Sequence, residues 1–498
     1  MDLKLFKKNE STLTVQCNST ISKELYNFFS CMSNNYKFDP RYKMKVWDGK
    51  LHFFSIQNNE IGIGLYDKIY EFARKGNYTI MDTFVEGNQI TKSQFQKFVD
   101  WLELPFPLRP YQFEAAYEAC VRKRVNIHIS TAGGKSLVIY IICRFLEKQN
   151  KKVLLIAPQT QLTEQMRGDF EEYGWNTDKY CRTIYGGQIK NFSTTVSIAT
   201  WQTMMNEITK TKEGKLMISE FDCIIVDEAH MAAGKSIQTI SKYCINASYR
   251  FGFSGTYPQP NTPDWFSIVG AFGPIKTFAD YKHLQEHGYI SKIKIYNLLL
   301  SYPKQDKVAL YNTAGTDYQK QNDFIYGNAS RNDFILKLVQ KMESNCLILF
   351  TKKEKHGYIV KNILEQQLKD KKIIYLDGDT PVDEREDVRK LIETRNDIVL
   401  LASYGILSAG WNVKNLHNII FASGYKSKVK VLQSIGRGLR LHKDKDYLKL
   451  FDIIDDFSFS DKKNSIHFIN HSIRHSRERE GFYNEQGWDF NTVKIKIG

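Results

Sequence analysis

Residues 125–142 constrain the fold of this chain more tightly than any other stretch. A stretch over 125–129 with Val125, Ile127 and Ile129 apolar leads into Ser130-Thr131-Ala132-Gly133-Gly134-Lys135-Ser136, and an apolar run over 137–142 follows at once. Locally this is a buried strand, a glycine-bearing turn and the start of a buried helix. A helix start presents backbone N–H groups with no partner inside the helix, and Lys135 adds a cation. Such a turn suits a nucleoside triphosphate, with Thr131, Ala132, Gly133 and Gly134 walling the cradle. Lys135 would meet the β and γ phosphates, and the Ser136 hydroxyl would meet Mg²⁺. The strict G-x-x-x-x-G-K-[ST] spacing is not met, because Ile129 stands at the first glycine. An ordinary strand–turn–helix with a surface lysine is the alternative for the heptapeptide taken alone.

About 90 residues downstream, Phe221-Asp222-Cys223-Ile224-Ile225-Val226-Asp227-Glu228-Ala229-His230 is a buried-strand pattern that ends in two carboxylates. The carboxyl end of a parallel strand lies on the rim where open α/β sheets bind ligands. Asp227 is placed there to hold Mg²⁺ through its water shell. Glu228 can orient and deprotonate the water that attacks the γ phosphate. A helix N-cap followed by a first-turn acid would also explain Asp-Glu after a strand. The phosphate loop upstream argues against that alternative.

The 498 residues are too many for one core, so several domains are expected. Residues 1–104 carry short alternating segments and turn signals, then helical patterns at 67–75 and 92–102, a small α+β module. Pro105 and Pro107 mark the entry to the next region. From 105 to about 290, strands are expected at 126–130, 152–157, 195–199, 223–226 and 250–253, alternating with helices. A second series over 291–498 has strands at 346–350, 372–376, 398–402, 417–422 and 449–454. Alternation of this kind builds parallel sheets with helices on both faces. The second series has no phosphate loop of its own, so the nucleotide is expected in a cleft between two stacked α/β domains. The last forty residues read as a basic helix with a tail.

Lys and Arg total 70 against 55 Asp and Glu, a formal charge of +15, which for an ATPase points to a polyanion such as nucleic acid. The eight cysteines form no C-x-x-C pair, so they are expected as reduced thiols of a cytoplasmic protein. No apolar stretch has the length of a membrane span, and the first residues lack a secretory core. His471 and His475 stand at i, i+4 without an acid between them, which favours a solvated helix face over a metal site.

Further motifs arrive in order. Arg109-Pro110-Tyr111-Gln112 precedes the phosphate loop; Ala157-Pro158-Gln159, Ala199-Thr200-Trp201-Gln202-Thr203 and Ser254-Gly255-Thr256 each follow a strand. Ala402-Ser403-Tyr404, Ser408-Ala409-Gly410-Trp411-Asn412 and Gln433-Ser434-Ile435-Gly436-Arg437-Gly438-Leu439-Arg440 come in the second half. Over roughly residues 105–456 this series resembles superfamily 2 helicases and translocases. Within them the chain is similar to the UvsW-type helicases of T-even-type phages. That likeness extends to Tyr36-Lys37-Phe38-Asp39-Pro40-Arg41, Trp47-Asp48-Gly49-Lys50, Gly424-Tyr425-Lys426-Ser427-Lys428 and Asp452-Ile453-Ile454-Asp455-Asp456.

The resemblance implies an α/β protein with two tandem RecA-like parallel-sheet domains, 105–290 and 291–498, behind the α+β module. It implies an ATP- and Mg²⁺-dependent DNA motor, working in the cytoplasm of a bacterial host, that unwinds, reanneals or branch-migrates forks, junctions and R-loops. Its partners would be branched, single-stranded or duplex DNA, RNA–DNA hybrid, and single-strand-binding or recombination proteins. Gln112 would read the adenine edge, with Arg109 and Tyr111 supporting the pocket and Gly410 on the nucleotide side of the cleft. His230, Ser254, Thr256 and Gln433 would couple hydrolysis to movement, and Arg437 and Arg440 would reach the γ phosphate. Pro158, Thr200, Gln202 and Ser403 would track the nucleic-acid backbone. A surface helix is the alternative for the two arginines, and an N-cap the alternative for Thr200 and Gln202.

In the N-terminal module, Arg41, Lys43, Lys45 and Lys50 alternate with Trp47, which suits phosphate contact and stacking; a solvated strand face with one core Trp fits equally. Ala132 and Gly255 stand where many helicases have glycine and alanine. The Ser408–Asn412 turn lacks the Asp of Asp-Glu-Ala-Asp RNA helicases. An RNA-dependent ATPase, a duplex translocase and a non-enzymatic binding module are the rival readings.

Overall fold

The structure, a computed structural model, describes residues 2–83, 89–186, 192–407, 413–461 and 465–497. The chain forms two compact units, Met1–Ser130 with Gly134–Asp280, and Tyr281–Gly498 with Thr131–Gly133.

In the first unit, β1 (Leu3–Asn9) and β2 (Thr12–Gln16) are followed by the short hairpin strands β3 (Ser30–Met32) and β4 (Lys50–His52). Next come β5 (Phe54–Ser55), β6 (Glu60–Gly62) and β7 (Ile80–Asp82), which join the first pair in a sheet ordered β5-β6-β2-β1-β7. Alternation in β1 and β2 turns Leu3, Leu5, Leu13 and Val15 into a core shared with Phe266 and Val269 of the helix Pro263–Phe272. Phe53 stacks on Phe266 at 4.8 Å. Gly62 and Gly64 let this sheet approach the backbone of that helix; a Cβ on Gly64 would fall inside contact distance of the Val269 carbonyl. Arg124 adds an ion pair to Glu10.

The expected alternation of strand and helix is present. β8 (Arg124–Ile129), β9 (Val153–Ala157), β10 (Cys181–Ile184), β11 (Val196–Thr200), β12 (Cys223–Asp227), β13 (Tyr249–Ser254) and β14 (Ile275–Ala279) form one sheet, ordered β10-β11-β9-β12-β13-β8-β14. Every pairing in it is parallel. The edge strands β10 and β14 escaped the sequence reading because their apolar runs are short. The helix Lys135–Glu147 lies under this sheet with nine of its residues buried, which is why its sequence is apolar nearly all round.

The second unit repeats the plan with β15 (Lys292–Ser301), β16 (Cys346–Phe350), β17 (Lys372–Leu376), β18 (Ile398–Ser403), β19 (Asn418–Phe421), β20 (Tyr447–Asp456) and β23 (Phe490–Lys496). Their order is β17-β18-β16-β19-β20-β15-β23, again parallel throughout. A small hairpin of β21 (Phe459–Asp461) and β22 (Ile466–Phe468) stands outside the sheet. These two sheets are the tandem RecA-like arrangement, behind an α+β module.

The expected C-terminal basic helix is present, but one of its faces is buried. The basic helix His471–Glu485 sends Arg479 inward, where it donates to both Asp452 oxygens at 2.7 and 2.8 Å, and the Tyr483 hydroxyl donates to the same carboxylate at 2.9 Å. The tail beyond is strand β23, paired along β15. No helix among the described residues is long and apolar enough to cross a membrane.

Candidate functional site

Parallel register brings the candidate groups of the first unit to one rim. Asp227 pairs across to Phe253 and Phe253 to Ile127, so the ends of β12, β13 and β8 lie side by side. The phosphate loop leaves β8 and the two acids leave β12, with Ser254 between them at the end of β13.

The loop turns through two left-handed residues, Ala132 at φ 68° and Gly134 at φ 77°. Gly134 then serves as N-cap of the helix that begins at Lys135. Gln112 secures this turn from below. Its amide donates to the Gly134 carbonyl at 3.4 Å, and its side-chain oxygen accepts the Arg109 N–H at 3.0 Å. Arg109 also donates to the Tyr111 hydroxyl at 3.0 Å. Thus Gln112, expected in a base pocket, bonds the phosphate loop, and Arg109 is bonded to Gln112 and Tyr111.

Asp227 accepts the Glu228 N–H at 3.0 Å, and Glu228 itself adopts φ 54°, ψ 52°, which turns the chain sharply out of the strand. Burial pushes the Asp227 carboxyl up to about 7; the Glu228 charge adds to this, and the Lys135 cation opposes it. A carboxylate so placed gains from a nearby cation. The hard oxygens of Asp227 and Ser136 are the donor types Mg²⁺ takes. The Ser136 hydroxyl shares a hydrogen bond of 2.8 Å with the Tyr173 hydroxyl.

His230 links the acids to the Ser254-Gly255-Thr256 turn. Its Nδ1 lies 3.1 Å from the Ser254 hydroxyl and 3.3 Å from a Glu228 carboxylate oxygen. Ser254 donates its hydrogen to the Thr256 carbonyl at 2.7 Å. Its oxygen is therefore an acceptor for His230, which assigns a proton to Nδ1.

Three residues near this rim were missed by sequence reasoning. Tyr173 holds Ser136; His128 reaches the Gly255 carbonyl at 3.1 Å. Tyr257 has its hydroxyl pushed well above the usual range, first by burial and then by Glu228 and Asp227. The apolar strand ends announced the rim, but nothing local marks an aromatic that reaches it from elsewhere.

Pro158 follows β9 and Thr200 ends β11 on the same side of the sheet as the acids. Thr200 stands at the N-cap position of the helix Trp201–Lys210 but its hydroxyl bonds Thr203 at 3.0 Å; Gln202 is exposed. Arg41 and Trp47 do not lie on a strand. Asp39 caps and Pro40 opens the short helix Pro40–Lys43, Arg41 pairs with Asp39, and the Trp47 indole donates to the Lys50 carbonyl at 2.9 Å. Lys45 is exposed beside them.

In the second unit, Gln433 and Arg437 ride the helix Lys428–Gly438 and Arg440 lies two residues beyond; Ser403 ends β18. The helix end is held by a lysine that sequence reasoning passed over. The Lys445 ammonium is buried and donates to the carbonyls of Gly438 (2.8 Å), Lys414 (2.9 Å) and Leu416 (3.0 Å). Gly410, and the whole turn from 408 to 412, lies outside the described residues.

The tandem parallel sheets with loop and acids on one rim define a motor of helicase superfamily 2. Family models agree in three stretches. These are the N-terminal domain of the DNA helicase UvsW over 2–82, the res subunit of type III restriction enzymes over 105–259, and the helicase conserved C-terminal domain over 330–442. The ATP-dependent DNA helicase UvsW of Enterobacteria phage T4 is 31% identical over 100% of both chains. A crystal structure of T4 UvsW matches with a TM-score of 0.51, 29% identity and full coverage of both chains. The DEAD-box helicase Mss116 bound to single-stranded RNA shares the fold, with a TM-score of 0.56, 15% identity and 82% of each chain covered. The chain belongs to the UvsW family of helicases.

Proposed function

We propose that this protein is an ATP-dependent DNA helicase and translocase that unwinds, reanneals or branch-migrates forks, junctions and R-loops. The observation that carries the reading is the full-length kinship with T4 UvsW, N-terminal module included. The rim of the first unit supports it. Lys135 and the N–H groups of the loop bind the phosphates, Gln112 with Arg109 and Tyr111 serves the base, and Ser136 with Asp227 holds Mg²⁺, which would neutralise phosphate charge. Glu228 takes a proton from the attacking water. His230, hydrogen-bonded to Ser254 with a Glu228 carboxylate oxygen 3.3 Å from the same nitrogen, passes the state of the acids to the Ser254–Thr256 turn.

The reading extends to residues where only the family pattern speaks. Arg437 and Arg440 stabilise charge developing on the γ phosphate, a contribution of ~10³–10⁵ in rate when a guanidinium acts so. Gln433 couples and Gly410 borders the nucleotide. Pro158, Thr200, Gln202 and Ser403 follow one DNA strand, gripped through phosphates, so affinity falls steeply with salt and depends little on sequence. Domains bounded at 104 and 290, and single-strand-binding or recombination proteins as partners, belong to the same proposal.

Glu228→Gln tests the core of it. That variant should bind ATP and forked DNA within about threefold of the parent while turnover falls at least ~10³-fold. Turnover near the parental rate would remove Glu228 from the mechanism. ATPase stimulation by single-stranded, duplex, forked and four-way DNA and by RNA, at two salt concentrations, tests the substrate; stronger stimulation by RNA would reverse the choice of DNA.

A further inference from the structure

Residues 33–49 form a lobe carried by the β3–β4 hairpin, whose register pairs Ser30 with His52 and Met32 with Lys50. The lobe has its own small interior. Tyr36 and Tyr42 meet edge to face at 4.8 Å. Gly49, at φ +81°, closes the lobe where a Cβ would come within 2.9 Å of the Met32 methyl. Arg41 forks onto Asp39 at 2.9 and 3.1 Å and covers the Trp47 ring at 5.0 Å, with most of its side chain still exposed. The Trp47 indole donates to the Lys50 carbonyl at 2.9 Å, which orients the ring within the lobe.

What remains outside is unusual. Phe38, Val46 and Met44 are 78%, 71% and 65% exposed, three of the four most exposed large apolar side chains among the described residues. Burying each elsewhere would gain ~1.5–3 kcal/mol, and three such side chains within one short lobe are a candidate contact surface. Lys37, Lys43 and Lys45 stand among them, and among the described residues no carboxylate pairs with any of the three. Apolar tips set among unpaired cations are complementary to one chemistry in particular: stacked bases with phosphates on either side. Apolar side chains wedged against base steps unstack them, and lysines hold the flanking backbone.

The geometry points to residues 33–49 as a strand-separating tip, with Phe38, Met44 and Val46 abutting the terminal base pair at a branch and Lys37, Lys43 and Lys45 on the diverging phosphates. This rests on the DNA-motor reading above and names the part of the substrate that the N-terminal module touches. Both features are absent from smooth duplex, so the tip would select branched DNA.

The experiment uses the full chain and a forked duplex with 2-aminopurine at the branch base pair, first without ATP. Wild type should raise the fluorescence on binding. Phe38→Ala/Met44→Ala/Val46→Ala should lose most of that rise and unwind forks ~10-fold more slowly, while ATPase stimulation by single-stranded DNA stays within about twofold. Lys37→Ala/Lys43→Ala/Lys45→Ala should lower the slope of log affinity against log salt for the fork by ~2–3. Should the apolar triple variant keep the fluorescence rise and the fork unwinding, the tip is refuted. A fork affinity and salt slope unchanged in the lysine variant would refute it too, and leave an acidic protein as the occupant. Equal loss of single-strand-stimulated ATPase in the apolar variant, with Phe38→Ser repeating it, would also overturn it by showing a structural role. The ATP-free arm separates the two readings, because a chain without DNA-stimulated ATPase defeats the motor while the fluorescence still reports the tip.

Discussion

At the residue scale, the phosphate loop holds two residues in left-handed backbone, Ala132 and Gly134. Ala132 occupies a left-handed conformation that glycine adopts without penalty, at a cost of ~1–2 kcal/mol. Gly134 has the same kind of φ, but a Cβ there would also come within 2.5 Å of the Gln112 amide nitrogen. Ala132→Gly should therefore bind a fluorescent ATP analogue within about threefold of the parent, while Gly134→Ala should weaken binding ~10-fold or more. Indistinguishable affinities for the two would show that Gln112 does not brace the loop. The loop, the acids and their order were legible because each is a contiguous run at a strand end. The Gln112–Gly134, Ser136–Tyr173 and Lys445 contacts were not, because their partners are remote in sequence and no periodicity marks them.

At the scale of elements, two junctions are open to test. The N-terminal sheet sits on the helix Pro263–Phe272 through Gly62 and Gly64, whose missing side chains allow backbone to approach backbone. Gly64→Ala should lower the melting temperature by several degrees and expose residues 2–82 to limited proteolysis ahead of the motor. Unchanged cleavage kinetics would mean that the junction tolerates a methyl group. The C-terminal helix is tied to β20 by Arg479 and Asp452, both fully buried. Arg479→Met leaves that buried carboxylate without a cation, held only by the Tyr483 hydroxyl, and should cost about 3–5 kcal/mol in urea unfolding; adding Asp452→Leu should restore most of it. A double variant no better than the single one would locate the loss in packing instead. The spacing of His471 and His475 suggested a solvated helix face, whereas His475 and Arg479 are buried, because sequence pattern alone cannot distinguish a polar side chain facing water from one facing a buried partner.

At the scale of the whole molecule, three histidines of the second unit set an acid limit. Burial comes first in lowering all three: His356 lies well below the usual range beside Arg331, His475 near 4 close to Arg479 and His471, and His417 near 4 close to Lys445 and His442. The unfolded chain takes up their protons near pH 6.5, whereas the folded chain resists. More protons on the unfolded state means that stability rises with pH between about 4 and 6.5 and is lost on acidification through that window. The slope is at most about 1.4 kcal/mol per histidine per pH unit. Urea midpoints at pH 7.5 and 5 should differ accordingly, and His356→Gln should reduce the difference; equal midpoints would show these rings to be solvated.

The linear sequence by itself determined the α/β class, the two strand–helix series and the order of the site motifs. Continuous apolar runs fold as buried parallel strands, and parallel strands deliver their carboxyl ends to one rim. Tertiary structure decided which charged groups turn inward, what hydrogen-bonds the phosphate loop, and which apolar side chains of the N-terminal lobe stay exposed. Those outcomes depend on long-range packing: whether a buried polar group finds its partner is settled only when distant segments meet.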